Sequence, residues 1–139
     1  MKFERAIPLA MRRLCACAAV AIAMALISPA AAQGSLALLE SLQKGGWEVR
    51  FRDGPAPRKL CLRTGKELLQ LHHGTSKCGR YAIESSGRQL TVQYSCKADG
   101  YARTTVRKET ATLVQIEGHG VADGRPFQYS AEARRVSDC

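Results

Sequence analysis

Beyond residue 32 the sequence lacks any long hydrophobic run, and the longest apolar stretch there is the four residues Leu36–Leu39. A helix that crosses a lipid bilayer needs roughly 20 consecutive, predominantly apolar residues. The chain from Gln33 to Cys139 is therefore predicted to carry no transmembrane segment.

The sequence also lacks the spaced motifs that mark common catalytic and metal sites. It contains no Gly-x-Ser-x-Gly elbow, no His-Glu-x-x-His pair and no glycine-rich phosphate loop. It has no Cys-x-x-Cys pair, and the four cysteines after residue 32 are 17, 18 and 43 residues apart. A zinc knuckle needs ligands closer together. The sequence therefore predicts no metal and no other cofactor, and it favours a binding or structural protein over an enzyme.

The first 32 residues have the three parts of a secretory signal peptide. Met1–Arg13 carries a net positive charge, Leu14–Ile27 is apolar throughout, and Ala30–Ala32 supplies the small residues that cleavage requires. We therefore predict a signal peptide over residues 1–32, removed near Ala32, and a single β-rich domain over residues 33–139. The mature protein is expected to be periplasmic or secreted, in an oxidising compartment.

Positive charge is in excess over negative charge. The full chain has a formal net charge of +9, and residues 33–139 keep 17 of the 21 basic and 11 of the 12 acidic residues, which leaves +6. Outside the cytoplasm the available anions are lipid head groups, lipopolysaccharide phosphates and acidic glycans. The charge therefore points to an anionic envelope lipid or glycan as the partner, and not to nucleic acid.

Four cysteines remain after residue 32, and an even number in a short exported chain predicts two disulfide bonds. Cys78 and Cys96 lie nine residues on either side of Gly87, where a hairpin turn is expected. The hairpin brings these two cysteines to the same end. This favours a Cys78–Cys96 bond, together with a Cys61–Cys139 bond.

The pairing Cys61–Cys78 with Cys96–Cys139 stays open. The apolar pattern of this hairpin favours a register in which Tyr81 faces the core. In that register Cys78 does not lie opposite Cys96 but is displaced from it by one residue. A β-bulge could absorb that slip. Without a bulge, the second pairing is the better solution.

Alternating apolar and polar residues predict an antiparallel β fold. Apolar and charged residues alternate strictly over Trp47–Arg52, and Lys59–Arg63 repeats the alternation. Turns such as Asp123–Gly124 separate the later strands. Short helices are predicted at Ser35–Lys44, which Gly45–Gly46 would end, and at Lys66–His72. The fold class is therefore mainly β, an antiparallel meander or partly closed β-barrel of about seven strands with two short helices. Each strand is expected to be the hairpin partner of the next.

The last hairpin also has a predicted register. If Asp123–Gly124 is the turn, Ala122 pairs with Arg125 and Ile116 lies opposite Ala131. Most aromatic side chains are then expected on the apolar face, with the core. The interior of a partly closed barrel could hold a small apolar ligand.

Four features of the chain occur together in one known family. They are the Gly-Gly-Trp-Glu-Val sequence at Gly45–Val49, the Cys61–Leu62 pair, two cysteines that bracket a hairpin, and the closing Ser137–Cys139. In these features the chain resembles the DUF3617 family of small exported bacterial proteins of unknown function. The resemblance implies a secreted β domain and supplies no active-site residues.

The three histidines are the candidates for catalysis. His72 and His73 would point about 100° apart on a helix, which does not form a chelating pair, so they are predicted to be a polar cap on the short helix. His119 lies between two glycines, which indicates a bend at a strand end or a cleft. Together with Asp123 it is the centre of an alternative hypothesis, a small periplasmic hydrolase.

Basic residues give the candidate binding site. Arg50 and Arg52 share one face of the first strand, and Arg103 and Arg107 share one face of a later strand. Such stripes concentrate anions and weaken as salt is added. We therefore predict an anion-binding face on a non-catalytic exported protein, beside the simpler interpretation of a solvated strand face. A third hypothesis is a structural or inhibitory protein that presents a hairpin to a protein partner.

Overall fold

The computed structural model describes residues 36–74 and 77–139. The signal peptide predicted over residues 1–32 and the predicted helix start at Ser35 lie outside the described residues. One helical turn, α1 (Ala37–Glu40), is followed by 3-10 turns at Lys66–Leu68 and Lys97–Asp99. The strands are β1 (Gly45–Phe51), β2 (Arg58–Leu62), β3 (Gly79–Ser85), β4 (Gln89–Ser95), β5 (Gly100–Thr110), β6 (Leu113–Ala122) and β7 (Arg125–Ser137).

The strands form one open antiparallel sheet in the order β2-β1-β7-β6-β5-β4-β3. Strands β3 to β7 make an uninterrupted meander, as the sequence predicts. Strand β1 pairs with β7, so β2 and β3 are the two edges of the sheet. The predicted order, with every strand the partner of the next, is therefore wrong between β2 and β3. The reason is that the segment Arg63–Gly74 runs over the inner face of the sheet, where its leucines are buried.

The last hairpin has the predicted register. Ala122 pairs with Arg125, and Ile116 pairs with Ala131. The two residues of the turn, Asp123–Gly124, have φ angles of 51° and 73°. Positive φ at both positions is what a two-residue hairpin turn of this kind requires.

Strand β3 departs from its predicted register. Tyr81 pairs with Gln93 and Ala82 pairs with Val92, so that Ala82 faces the core and Tyr81 points outward. The register then shifts at Ile83, which forms a β-bulge. The prediction that Tyr81 faces the core is therefore wrong, because the register that aligns the two cysteines of this hairpin puts the neighbouring alanine inside.

Both helices are shorter than predicted. Helix α1 is a single turn, and Gly45, predicted to end the helix, begins β1. The segment predicted to be helical at Lys66–His72 is a 3-10 turn followed by irregular turns. At its start, the Glu67 carboxylate accepts a hydrogen bond from the Thr64 N–H at 3.2 Å. Burial raises the pKa of Glu67, but this and further hydrogen bonds outweigh it and lower the pKa overall.

Leucines from these two segments cover the inner face of the sheet. Leu38 and Leu39 of α1 are fully buried, and so are Leu68 and Leu69. They belong to one core cluster with strand residues that include Trp47, Val49, Leu90, Val106, Val114 and Ile116. The interior in which a small apolar ligand could have been bound is thus occupied by the side chains of the protein itself.

Each disulfide bond holds one edge of the sheet. Cys61 of β2 is bonded to Cys139, which follows β7. Cys78, just before β3, is bonded to Cys96, just after β4. This is the pairing that the sequence favours, and the alternative pairing is wrong. The two covalent bonds therefore anchor the two strands that have a single neighbour in the sheet.

Candidate functional site

Two of the four arginines predicted to bind anions are paired with acidic side chains. The Arg50 Nε atom lies 2.6 Å from Oε1 of Glu48, and the Arg107 Nε atom lies 3.3 Å from Oε1 of Glu109. Both pairs are on the outer face of the sheet, where solvent screens them. The positive charge of Arg50 and Arg107 is therefore partly offset within the protein.

The other two arginines contact neutral amides. The Arg52 Nη2 group donates to Oε1 of Gln115 at 3.5 Å, and the Arg103 Nη2 group donates to Oε1 of Gln93 at 3.4 Å. An amide oxygen orients a guanidinium group without cancelling its charge. The outer face thus carries all four arginines, but they do not form a single cluster.

The row of outer-face side chains at the level of Arg50 mixes the two signs of charge. Arg50 is the cross-strand neighbour of Glu132, which is next to Gln115, which in turn is next to Arg107. Oppositely charged cross-strand neighbours attract each other and stabilise the sheet. At this level of the face, arginine side chains serve as partners for the acids that lie among them.

The row of outer-face side chains at the level of Arg103 is different. Here Tyr81 pairs with Gln93, Gln93 with Arg103, Arg103 with His119, and His119 with Gln128. We call these five side chains the acid-free row. The row crosses β3, β4, β5, β6 and β7 at one level. It brings together Arg103 and His119, which sequence analysis assigned to two different hypotheses.

Two exposed tyrosines flank this row. Tyr81, at its β3 end, is 61% exposed, and Tyr101, two residues before Arg103 on β5, is 52% exposed. Sequence reasoning missed both as site residues because it assigned most aromatic side chains to the core. For Tyr101 a signal was present, since Ala102 lies between Tyr101 and Arg103 and neighbouring residues of a strand point to opposite faces. For Tyr81 the signal was hidden by the register of β3.

His119 is exposed, and its two glycine neighbours have a packing role. A Cβ atom at Gly118 would collide with the ring of Tyr129, and one at Gly120 would collide with the carbonyl oxygen of Tyr101. Both glycines lie inside β6, so the predicted bend at a strand end is wrong. A hydrolase would need a cleft at His119, and these contacts do not supply one. The hydrolase hypothesis for His119 stays a prediction.

His73 is buried on the inner side of the sheet. Its Nε2 atom lies 3.1 Å from the carbonyl oxygen of Asp99 and 3.2 Å from that of Val121. Its Nδ1 atom lies 3.0 Å from the Tyr94 hydroxyl group. Since carbonyl oxygens only accept, Nε2 carries a proton, and in the neutral ring Nδ1 accepts from Tyr94. The predicted polar cap is therefore wrong for His73, which joins its loop to β4 and to the β5–β6 end of the sheet.

His72 packs on aromatic rings instead. Its ring is stacked on Phe127 with the centroids 4.1 Å apart, and on Tyr129 at 5.4 Å. Burial lowers the pKa of His72, and the electrostatic interactions with His73 and with the Arg58 guanidinium lower it further. The two adjacent histidines thus have different neighbours. Within the parts of the chain that the structure describes, no three His, Cys, Asp or Glu side chains are placed to hold a metal ion.

The Tyr129 hydroxyl group is buried, and no hydrogen-bond partner with acceptable geometry is found for it among residues 36–74 and 77–139. Burial raises the pKa of this phenol, and the nearby Thr104 hydroxyl group offsets only part of the rise. The ring lies over Gly118 and beneath the stacked His72. Tyr129 is therefore a neutral packing residue, which leaves the outer face as the candidate site.

Comparison with protein-family models, with curated proteins and with solved structures finds no match for this chain. The resemblance to the DUF3617 family stays a prediction. No helix within residues 36–74 and 77–139 has both the length and the apolar character needed to span a bilayer.

Proposed function

We propose that this chain is an exported protein, periplasmic or secreted, that acts by binding an anionic component of the cell envelope and not by catalysis. The observation that carries the proposal is the pair of disulfide bonds, one at each edge of the sheet. Disulfides of this structural kind persist in oxidising compartments and are rare in the cytosol. They support export, which the signal peptide predicted over residues 1–32 also favours.

The charge and the packing support an anion as the ligand and the outer face as the site. Residues 33–139 carry a net charge of +6, and Arg52 and Arg103 contact amides and not acids. A positive surface raises the local concentration of anions in a salt-dependent way. The inner face is filled by leucines, which disfavours the small apolar ligand. The family resemblance agrees with an exported β domain and assigns it no catalytic residue.

The proposal is tested with the processed protein, both disulfide bonds formed, mixed with phosphatidylglycerol vesicles, phosphatidylcholine vesicles or lipopolysaccharide. We expect binding to the two anionic surfaces at low ionic strength and release by salt on the order of 0.5 M, where screening is nearly complete. The mass of the protein isolated after export tests removal of residues 1–32. Absence of binding to both anionic surfaces at low ionic strength would contradict the proposal.

Two double variants with the same net charge locate the site. Arg52→Gln with Arg103→Gln removes the arginines that have amide partners, whereas Arg50→Gln with Arg107→Gln removes those paired with acids. Each double variant lowers the net charge by two. We expect weaker binding from the first than from the second, and the reverse order would contradict the proposed face.

A further inference from the structure

We propose that the acid-free row, Tyr81, Gln93, Arg103, His119 and Gln128, binds an acidic oligosaccharide laid across the strands of the outer face. This inference rests on the proposed function and narrows its ligand from any envelope anion to an acidic glycan. It is carried by the cross-strand register, which places these side chains side by side.

The row has the length and shape for an extended ligand. Neighbouring strands lie about 4.8 Å apart, so five strands span about 19 Å. Its members come from five different strands and are fixed by the hydrogen-bond ladder of the sheet, which makes the surface rigid before any ligand arrives. A short oligosaccharide that lies across the strands meets a new side chain at each strand.

The polar members suit sugar hydroxyl and carboxylate groups. The amides of Gln93 and Gln128 both donate and accept hydrogen bonds, as sugar hydroxyl groups do. The guanidinium group of Arg103 has five N–H donors, and its contact with Gln93 at 3.4 Å uses one of them. Arg103 is thus held in place with donors left over for a carboxylate, which it can bind through two parallel hydrogen bonds.

The two tyrosines provide stacking surfaces at this part of the face. Tyr81 lies in the row, and Tyr101 lies one level away on β5, next to Ser95 of β4, which pairs with Gly79 of β3. Because Ser95 and Gly79 are small, the tyrosine rings stand clear of their neighbours, as their exposures of 61% and 52% show. The face of an aromatic ring is electron-rich and attracts the polarised C–H groups on one side of a sugar ring.

The same features favour a glycan over a protein or a lipid surface. The exposed tyrosines are separated by polar side chains, whereas a protein-binding patch usually has a contiguous apolar centre. None of the five members of the row is acidic, and two carboxylates of the outer face, Glu84 of β3 and Glu117 of β6, lie one level away on the side opposite Tyr101. Arg103 is the charged member of the row and has N–H donors to spare, so charge complementarity places the carboxylate of an acidic sugar at Arg103, toward the Tyr101 side of the row.

The probe is oligogalacturonate, with its fully methyl-esterified form as the neutral control, and binding is measured by calorimetry to the processed, disulfide-bonded protein. We expect the acid to bind and the ester to bind at least tenfold more weakly. We expect Tyr81→Ala, Tyr101→Ala and Arg103→Gln each to weaken binding by about tenfold, the loss typical of an important contact. These side chains are exposed, so the variants should keep the thermal stability of the parent protein.

Arg107→Gln is the matched control, because it removes the same charge from the same strand but lies outside the row and is paired with Glu109. Unchanged affinity for oligogalacturonate in Arg107→Gln supports the proposal. Equal weakening in Arg103→Gln and Arg107→Gln, or equal binding of the acid and the ester, overturns it. If anionic vesicles bind and oligogalacturonate does not, the glycan inference fails while the proposed function stands.

Discussion

The two edges of the sheet are both closed by a disulfide bond, but the two bonds join very different lengths of chain. At the β2 edge, Cys61 and Cys139 are 78 residues apart. At the β3 edge, Cys78 and Cys96 are 18 residues apart. In the chain-entropy account, a cross-link stabilises a fold by restricting the unfolded chain, more so for a longer loop. The β2 edge should therefore depend more on its covalent bond than the β3 edge does.

The two edges also differ in their non-covalent contacts, which are more extensive and more deeply buried at the β3 edge than at the β2 edge. Beside β3, buried His73 hydrogen-bonds to Tyr94 of β4 and to two carbonyl oxygens of the β5–β6 end. Beside β2, the exposed Arg58 donates a part-buried hydrogen bond to the Leu71 carbonyl oxygen at 2.8 Å and lies over the Phe51 ring at 5.6 Å. The β3 edge, where the acid-free row begins, is thus held by a buried hydrogen-bond network and by the disulfide bond. A binding face needs such a rigid support.

The largest effect is expected from removal of the long-range bond. Cys61→Ala with Cys139→Ala should lower the free energy of unfolding by about 4.5 kcal/mol, the chain-entropy value for a loop of this length. The measurement is urea denaturation at neutral pH, with mass spectrometry to verify that Cys78–Cys96 is intact. A loss smaller than that caused by removing the short-range bond would contradict the comparison of the two edges.

A smaller effect is expected from removal of the short-range bond. Cys78→Ala with Cys96→Ala should cost about 3.2 kcal/mol by the same account. Hydrogen exchange should show where the loss falls: exchange should accelerate more at amides of β3 and β4 than at those of β1 and β2. Equal acceleration at both edges would mean that each bond stabilises the whole fold and not its own edge.

The sequence predicts much of the fold because strand pairing follows local patterns. The last hairpin has its predicted register because Asp123–Gly124 is a turn of one defined geometry. The outward position of Tyr81 was not predictable in the same way, since it depends on a bulge at Ile83 that no residue type announces. The acid-free row was missed for a related reason. Its members are scattered in sequence from Tyr81 to Gln128, and only the combined register of five strands brings them together.

The smallest expected effect concerns the pH dependence of the inner contacts on the β2 side, where His72 stacks on Phe127 and Tyr129. Because the pKa of His72 is lowered in the folded protein, the unfolded chain binds more protons at mildly acidic pH. The stabilisation from neutral His72 is full above the ordinary histidine pKa of about 6.5 and is lost as the pH falls through the lowered folded value.

His72→Gln should therefore lose less stability than the parent protein when the pH is lowered from about 7.5 to about 5.5, a range that spans the ordinary histidine pKa. The free energy of unfolding at the two pH values gives the comparison. His119→Gln, the same change at an exposed position of the outer face, is the matched control for the loss of a histidine side chain. If His72→Gln and the parent lose the same amount, the stacked ring does not couple protonation to folding.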